Sequence, residues 1–259
     1  MNFHSLKHHI IRLFGAFFVS LLLSFSYSVQ AEELKVIAST GVYSVMQEMI
    51  PGFERQTGIK LAVTYDTSNI ILQRVQAGEA ADLIILTSSA IDDLIRQGKV
   101  AMAGRTNLAS SGIGLAIRAG EKHPDIGTPE ALKKTLLEAQ SIAFTGTGAS
   151  GIYFLSVANQ LGIGEQVKAK AISPPGGHIA KLVAAGDAQL GVQMKSELLG
   201  VPGSEYIGPL PAALQMNTVF TVGVFSNSSH VAQALELVRY LSAPAQASIY
   251  QKLGMDPAR

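Results

Sequence analysis

Four short stretches rich in hydroxyl-bearing and small residues each follow a strand-like apolar run and open a helix-like one. They are STGVY (39–43), DTSNI (66–70), TGTGASG (145–151) and PPGGH (174–178). Small residues let backbone N–H groups approach a ligand, and a helix N-terminus carries partial positive charge. Because such loops gather at the carboxyl edge of a parallel sheet, they predict one anion site. The candidate ligand-binding residues in these loops are Thr40, Gly41, Ser68, Asn69, Ser150, Gly151, Gly176, Gly177 and His178.

The third loop also contains the pattern G-x-G-x-x-G at Gly146, Gly148 and Gly151. A dinucleotide site needs an acidic residue about 20 positions further on, at the end of the next strand. Here that strand, VKAKAIS, ends in SPPGG and offers no carboxylate. A P-loop is excluded because no Gly-Lys-Ser/Thr follows. Two interpretations stay open, an anion-binding loop and a small-residue turn packed against the sheet.

Three longer side chains are candidates for direct contact with an anion. Arg118, in GLAIRAG, carries a guanidinium that can pair with a carboxylate through two hydrogen bonds; its alternative is an exposed arginine at a strand end. His178 opens a helix, so its charge would make binding depend on pH if it faces the ligand; its alternative is a solvated histidine. Asn69 offers an amide contact.

The residue types argue against catalysis. A serine nucleophile needs a base within hydrogen-bond reach. The histidines after the leader are His123, His178 and His230, and no G-x-S-x-G elbow exists. The chain has no cysteine, which excludes thiol catalysis and cysteine-ligated metals. We therefore expect a protein that is not an enzyme and that uses no metal and no cofactor.

The elements that must position these loops alternate between strands and helices. LKVIAS (34–39), KLAVTYD (60–66) and ADLIILTS (81–88) read as strands, each followed by a helical pattern. Three such β-α units predict a mostly parallel sheet covered by helices. Further strands are predicted at 112–120 and 141–146 and in NTVFTVGVFSN, and two helices close the chain.

The first 31 residues have the features of a secretory leader. Lys7 and Arg12 precede the apolar run LFGAFFVSLLLSF, and small residues follow before AEE. We expect cleavage after Ala31 and a periplasmic chain of about 228 residues, with a retained membrane anchor as the alternative. Loss of two basic residues moves the formal charge from +1 to about −1. With no basic run, nucleic acid is not an expected partner.

The order of motifs resembles that of periplasmic solute-binding proteins of ABC importers, and among them the molybdate-binding subgroup. The resemblance covers nearly the whole mature chain and rests on VIASTGVYSVMQEMIPGFERQTGIKL, TSNIILQRVQAGEAADLIILTS, GASGIYFLSVANQLGI, AQLGV and SAPAQASIYQKLGM. It implies an α/β type 2 periplasmic binding fold. Each of two lobes is then a mostly parallel sheet flanked by helices, and the ligand cleft between them closes by hinge bending. The implied partner is the permease in the inner membrane, and we expect a monomer.

The resemblance also implies a set of donors for the anion. Ser68 matches the serine after the second strand of that family, and the loop amides match around Ser150–Gly151 and Gly176–Gly177. The position of the family's first serine falls on Gly41, beside Thr40, and the position of its tyrosine falls on Met194.

Two donors for a tetrahedral oxyanion are thus replaced, while Arg118 suits a planar carboxylate. The sequence therefore favours a small organic anion with more than one carboxylate. Molybdate or tungstate remains the alternative ligand, and a periplasmic sensor on the same fold remains the alternative role.

Chain order predicts how the lobes divide the sequence. Residues 32–112 and 223–259 form one lobe, and residues 113–222 form the other, because the long strand near the end can return the chain to the first sheet.

Overall fold

Strands and helices alternate through residues 33–258, the part of the chain that the computed structural model describes. The leader and its predicted cleavage after Ala31 lie outside these residues. The strands are β1 (Glu33–Ser39), β2 (Lys60–Asp66), β3 (Leu83–Thr87), β4 (Val100–Arg118), β5 (Ile142–Ala143), β6 (Ala171–Ile172), β7 (Leu190–Met194), β8 (Ser204–Pro209), β9 (Asn217–Phe225) and β10 (Asp256–Pro257).

The helices cover both faces of the sheets. They are α1 (Tyr43–Thr57), α2 (Ser68–Gln76), α3 (Ser88–Arg96), α4 (Pro129–Glu138), α5 (Ala149–Gln160), α6 (Gly164–Ala169), α7 (Ile179–Ala185), α8 (Lys195–Leu198), α9 (Val231–Ser242) and α10 (Ala247–Lys252). Single 3₁₀ turns lie at Thr40–Val42, Ala212–Leu214 and Pro244–Gln246.

The strands form two sheets that share β4. Sheet 1 has the order β2-β1-β3-β9-β4, with β10 also paired to β4. Sheet 2 has the order β4-β7-β5-β6, with β8 also paired to β4. The change of sheet falls between Gly112, which pairs with Asn217 of β9, and Ile113, which pairs with Met194 of β7. One strand therefore fixes the two lobes side by side.

Strand directions bring the loop-bearing strand ends together. In sheet 1, β1 runs parallel to β2 and β3, and in sheet 2, β5 runs parallel to β6 and β7. The shared strand β4 runs antiparallel to β7 and to β9. The fold is thus the predicted two-lobed α/β arrangement, with antiparallel strands where the lobes join.

Strand β9 pairs with sheet 1 along its whole length, from Asn217 to Phe225. It returns the chain to the first sheet, after which α9 and α10 pack there. The division of the sequence into lobes of 32–112 plus 223–259 and of 113–222 stays a prediction.

Separate apolar cores hold each lobe. Helix α1 buries Val45, Met46, Met49 and Phe53 on one face, the spacing expected for a helix packed on a sheet. The helix continues through Pro51 and ends at Gly58, whose positive φ of 76° lets its amide bond the Glu54 carbonyl. A second core forms around sheet 2, α4 and α5. These cores make the strand ends rigid supports for the loops that follow them.

Candidate functional site

The loops after β1, β2, β3, β5 and β7 meet between the two sheets and enclose a cavity of about 20 Å³, called here the inner pocket. Its hydroxyl-bearing lining residues are Ser39, Thr40, Thr67, Ser68, Thr87, Thr145 and Ser150. The remaining side chains that matter for chemistry are Met194, Glu197 and Phe220, beside the backbone of Gly41. The structure therefore brings together the predicted residues Thr40, Gly41, Ser68, Ser150 and Met194.

Hydrogen bonds among the loop hydroxyls shape the sheet 1 side of the pocket. The Ser68 hydroxyl donates to the Ser39 hydroxyl over 3.3 Å, and the Ser39 hydroxyl also accepts from the Gly41 amide at 3.3 Å. Ser150, at the start of α5, is only 2% exposed. Helices α2 and α5 both begin at the pocket, so their free N–H groups add partial positive charge.

Direct contacts join the loops of sheet 1 to those of sheet 2. The Ser196 hydroxyl donates to the Gly41 carbonyl at 2.8 Å, and the Asn69 amide donates to the Thr147 carbonyl at 3.1 Å. The Thr67 and Thr147 hydroxyls lie 3.3 Å apart. Asn69 is exposed, and in this structure it bridges the lobes. These bonds hold the pocket closed around its small volume.

The glycines of G-x-G-x-x-G are explained by close packing. A Cβ on Gly151 would overlap the carbonyl oxygen of Thr145, and one on Gly148 would overlap the Thr145 hydroxyl. A Cβ on Gly146 would come within 2.9 Å of the Ser173 hydroxyl. The loop is therefore a tightly packed turn, and the same packing presses the start of α5 and Ser150 against the pocket. The packing supports the small-residue turn, and anion binding by this loop stays a prediction.

Phe220 occupies the space that a side chain at position 41 would need. A Cβ on Gly41 would overlap the ring Cζ of Phe220 and lie 2.7 Å from its Cε1. Phe220 is buried on β9 and lines the pocket together with Met194. An aromatic ring thus stands where the implied serine hydroxyl is missing, and the pocket has one apolar wall.

Glu197 is a buried carboxyl at the pocket that the sequence did not single out. It is 6% exposed and lies in the short helix α8, directly after the end of β7. Burial raises its pKa to about 7, and hydrogen bonds from Thr40, Gln193 and the backbone at Met194 oppose part of that rise. The acid is therefore poised between its neutral and charged forms near neutral pH.

Gln193 fixes both Glu197 and the loop before α7. Its side-chain amide donates to Glu197 Oε1 and to the Gly177 carbonyl, each at 2.9 Å, while its carbonyl oxygen accepts from the Ile179 amide at 2.9 Å. A single buried side chain on β7 therefore positions the acid and the PPGGH loop.

The PPGGH loop lies beside the inner pocket. The place of a Cβ on Gly176 is 3.9 Å from the Thr67 methyl, and Gly177 has a φ of 98° that favours glycine. The His178 ring is half-buried and meets the Tyr43 ring edge-on at 5.1 Å. Burial lowers the pKa of His178, and its hydrogen bond to the Glu197 backbone opposes this. A contact between these residues and a ligand stays a prediction.

The structure corrects the prediction for Arg118. It is exposed, pairs with Ser204 of β8, and lies near Gly186. Because β4 runs antiparallel to β7, its last residue lies at the opposite edge of sheet 2 from Met194. Ile113 pairs with Met194, and five further residues along the strand carry Arg118 about 16 Å away. Arg118 therefore fits the alternative interpretation, an exposed arginine at a strand end, and not a ligand contact in the inner pocket.

A wider, open groove of about 850 Å³ continues from the inner pocket, and we call it the outer groove. It shares Ser68, Thr87 and Ala149 with the pocket lining. Helices α2, α3 and α5 border it, and so do the first residues of β9. Asn69 lies here.

Two searches of residues 33–258 bear on other kinds of site. No group of three or more His, Asp or Glu side chains in this range is arranged to hold a metal ion. No helix in this range has the length and apolar character needed to cross a membrane.

The chain belongs to the bacterial extracellular solute-binding protein family, whose model matches residues 34–256. This confirms the resemblance to solute-binding proteins of the ABC-importer type.

Individual relatives cover most of the chain. Aconitate isomerase from Pseudomonas sp. is 34% identical over 230 residues, which is 86% of this chain and 87% of that protein. The molybdate-binding protein ModA of Azotobacter vinelandii is 25% identical over 236 residues, 87% of this chain and 90% of that protein. The solved structure of an Azotobacter vinelandii periplasmic molybdate-binding protein superimposes with a TM-score of 0.75 at 17% identity. It covers 87% of this chain and 100% of its own. The molybdate-binding-protein-like fold is confirmed.

Replacing Gly151 with alanine should destabilise the protein. The added methyl meets the Thr145 carbonyl oxygen, and we expect a cost of about 1–3 kcal/mol from overpacking. This cost opposes the gain of about 1 kcal/mol that alanine brings to a helix. Urea denaturation measures it, with Gly127→Ala as the matched control because that glycine is exposed and has a Cβ contact no closer than 3.4 Å. Equal stability of the two variants would contradict the packing explanation.

Glu197 should make stability fall as pH rises from about 4.5 to about 7. The folded protein keeps the proton up to a pKa of about 7, whereas the unfolded chain loses it near 4.5. The folded state therefore binds the extra proton in this window, and the free energy of unfolding drops across it by about 3 kcal/mol.

Urea denaturation of wild type and Glu197→Gln at pH 5 and pH 8 tests this. Wild type and Glu197→Gln share the same histidines, so the difference between their free energies of unfolding reports on Glu197 alone. That difference should change by about 3 kcal/mol between pH 5 and pH 8. Glu165→Gln changes an exposed helical glutamate, and its free energy of unfolding should depend on pH as that of the wild type does. A difference between wild type and Glu197→Gln that does not vary with pH would contradict the assignment.

Proposed function

We propose that this protein binds a small organic anion with more than one carboxylate between its lobes, in the periplasm, and delivers it to an ABC importer permease. The observation that carries this proposal is the mixed lining of the inner pocket. Hydroxyls and helix starts line it together with the apolar side chains of Phe220 and Met194. A carboxylate with a carbon skeleton can contact both kinds of group at once.

The donors of the pocket are neutral. None of the residues that line it, all within 33–258, is Lys or Arg. The charge of a carboxylate is therefore offset by hydroxyls such as Ser68 and Ser150 and by the helix starts. A tetrahedral oxyanion has polar surface on every side, and the part facing Phe220 would lose its hydration without gaining a donor. The apolar wall thus favours the organic anion.

Glu197 adds a condition on pH. When it is neutral it can donate a hydrogen bond to an anion, and when it is ionised it repels one. Since burial raises its pKa to about 7, the pocket is most favourable to an anion below that value.

The comparisons support the carboxylate without deciding it. One relative is named for aconitate, an unsaturated tricarboxylate. Another relative and several structural neighbours are named for molybdate, sulfate or tungstate, so an inorganic oxyanion is the competing ligand. A sensor that uses the same pocket with a different membrane partner is the competing role.

Titration calorimetry of the mature protein at pH 6 tests the ligand class. Propane-1,2,3-tricarboxylate or cis-aconitate should bind more tightly than molybdate or sulfate. Ser150→Ala should weaken carboxylate binding by about 1.5–3 kcal/mol, as for a hydrogen bond to a charged group. Ser248→Ala, at an exposed helical serine remote from the pocket, is the control. Molybdate binding tighter than any carboxylate would overturn the proposal.

A second candidate function is conversion of the bound anion, and the buried Glu197 carboxyl favours it. A general acid–base group works best when its pKa lies near the working pH. Glu197 meets that condition at the wall of the pocket. The expectation that the protein is not an enzyme rests on its serines, histidines and lack of cysteine and takes no account of Glu197. The family is one of binding proteins, but one relative is named for an isomerase activity, so this expectation is not confirmed.

The reaction that such a group can perform alone is a proton shift along an allylic carboxylate. The ionised Glu197 takes a proton from the carbon between a carboxylate and the C=C bond. The electron pair of that C–H bond forms a new C=C bond. The electron pair of the old C=C bond moves onto the far carbon, where the second carboxylate stabilises the resulting carbanion. The protonated Glu197 then returns the proton to the far carbon. Atoms balance, and no oxidant, reductant or cofactor is required.

Incubation with cis-aconitate in D₂O tests conversion. Isomerisation should be visible by proton NMR, and Glu197→Gln should abolish it while binding persists. Glu165→Gln should leave the rate unchanged. Absence of turnover by the wild-type protein would remove this candidate and leave the binding function.

A further inference from the structure

Two chain segments cross between the sheets, and a side chain fastens one to the other. Strand β4 changes sheet between Gly112 and Ile113, and the chain returns to sheet 1 between β8 and β9. The Gln215 side chain, on the returning segment, accepts from the Ile113 amide at 3.0 Å and donates to the Ile113 carbonyl at 2.8 Å. The two crossings therefore form one narrow connection about which the lobes can rotate.

Two buried serines fasten α8 to sheet 1 directly beside this crossover. Ser111, the residue before Gly112, is 1% exposed; its hydroxyl donates to the Gly254 carbonyl and accepts from the Ser196 amide, each at 3.2 Å. The Ser196 hydroxyl is also buried and donates to the Gly41 carbonyl at 2.8 Å. Helix α8 follows β7 of sheet 2, whereas Gly41 and Gly254 belong to segments next to strands of sheet 1. We call these three bonds the serine lock.

The segment around Gly254 packs against α8 from the side of sheet 1. Strand β10, just after it, pairs with β4 at Ala109 and Ser110, next to the crossover. A Cβ on Gly254 would lie 2.8 Å from Leu199 Cδ1 and 3.0 Å from Lys195 Cγ, and its φ of 79° favours glycine. The backbone at Gly254 thus touches α8 directly and helps to bury the serine lock.

A second set of contacts between the lobes, called here the mouth contacts, has different surroundings. The Thr67 and Thr147 hydroxyls lie 3.3 Å apart, and the Asn69 amide donates to the Thr147 carbonyl at 3.1 Å. Asn69 is exposed, so water can replace the partner that it loses when the lobes part. Exchange of a hydrogen bond for one with water changes the free energy little, whereas a buried donor or acceptor left unpaired costs far more. The mouth contacts therefore break before the serine lock does.

We propose that the lobes open at the mouth contacts and rotate about the crossover, while the serine lock keeps α8, Gly41 and Gly254 together in both the open and the closed form. Points near a rotation axis move little, and Ser196 is bonded to Ser111, which adjoins the crossover. The back of the inner pocket then stays assembled when the mouth opens. This inference rests on lobe movement and not on which anion is bound, so its failure leaves the proposed function standing.

A disulfide across the mouth tests the inference, and the absence of cysteine from the chain makes the pair unambiguous. Thr67→Cys with Thr147→Cys places two thiols where hydroxyls now lie 3.3 Å apart, and oxidation should join them. Amide hydrogen exchange is followed by NMR in the oxidised and the reduced protein, both without ligand. Ser39→Cys with Ser68→Cys is the matched control, because those hydroxyls are also 3.3 Å apart but both follow strands of sheet 1.

Two amides distinguish the mouth from the lock. The Ser150 amide lies at the inner pocket, and the Ser196 amide, second in α8, has no partner within the helix, so its protection reports the bond to Ser111. Each rate is divided by that of Ile85, whose central strand reports on global unfolding. The mouth disulfide should slow exchange at Ser150 at least about tenfold and leave Ser196 unchanged. The control disulfide should change neither amide.

Ser196→Ala tests the lock itself. Loss of the hydroxyl removes the bond to the Gly41 carbonyl, so α8 should then separate from sheet 1 when the mouth opens. In this background the mouth disulfide should slow exchange at position 196 as well, again at least about tenfold. Exchange at position 196 that stays insensitive to the mouth disulfide in this variant would show that the Ser196 hydroxyl does not hold α8, and the proposal would be wrong.

The mouth disulfide alone also gives results that overturn the proposal. If it slows Ser196 as much as Ser150, the lobes part along their whole contact and no lock exists. If the disulfide does not form, or if it slows neither amide, opening does not pass through the mouth contacts. Slowing confined to Ser150, extended to position 196 only by Ser196→Ala, is the result that supports the lock.

Discussion

The participation of β4 in two sheets is the constraint on which the rest of the molecule depends. Its first part pairs with β9 and its last part with β7 and β8, and the change falls between Gly112 and Ile113. Because the pairing with β7 starts at Met194, the carboxyl end of β7 is set at the junction of the lobes. The ends of β1, β2 and β3 approach from the other side. Loops that carry hydroxyls and helix starts are thereby brought face to face.

Polar loops that meet in this way must find hydrogen-bond partners or accept a cost. Most of them find partners in one another, as Ser68 does with Ser39 and Ser196 with the Gly41 carbonyl. These bonds give the pocket its shape, but they use up donors. The groups that remain strained by burial are Glu197, whose charged form is disfavoured, and Thr218, whose hydroxyl is unpaired. Hydrogen bonds among the loops therefore build the walls of the site, and burial acts separately on the protonation of Glu197 and on the Thr218 hydroxyl.

Sequence reasoning identified what depends on local pattern. Strand ends followed by small and hydroxyl residues placed Thr40, Ser68 and Ser150 at the pocket, and periodicity gave the alternation of strands and helices. It failed where the answer depends on strand direction or on distant packing. Arg118 was misplaced because the sequence of β4 does not state that it runs antiparallel to β7. Glu197, in KSEL, looks like an acid on a helix surface, and only the fold buries it. Phe220 follows ordinary strand alternation, and nothing local reveals that its ring fills the space beside Gly41.

The neutrality of the pocket connects its chemistry to lobe movement. A fixed arginine would have to be desolvated whenever the lobes close, at a cost that only its anion could offset. Hydroxyls, helix starts and a protonated Glu197 carry no net charge. Closure of the lobes therefore buries no unpaired ion, and release of an anion exposes no buried cation. Ionisation of Glu197 above pH 7 changes this balance, because it adds a negative charge at the contact between Thr40 and α8. If the pocket binds an anion as proposed, that charge opposes both the anion and the closed arrangement, and one carboxyl then couples pH to ligand binding and to closure.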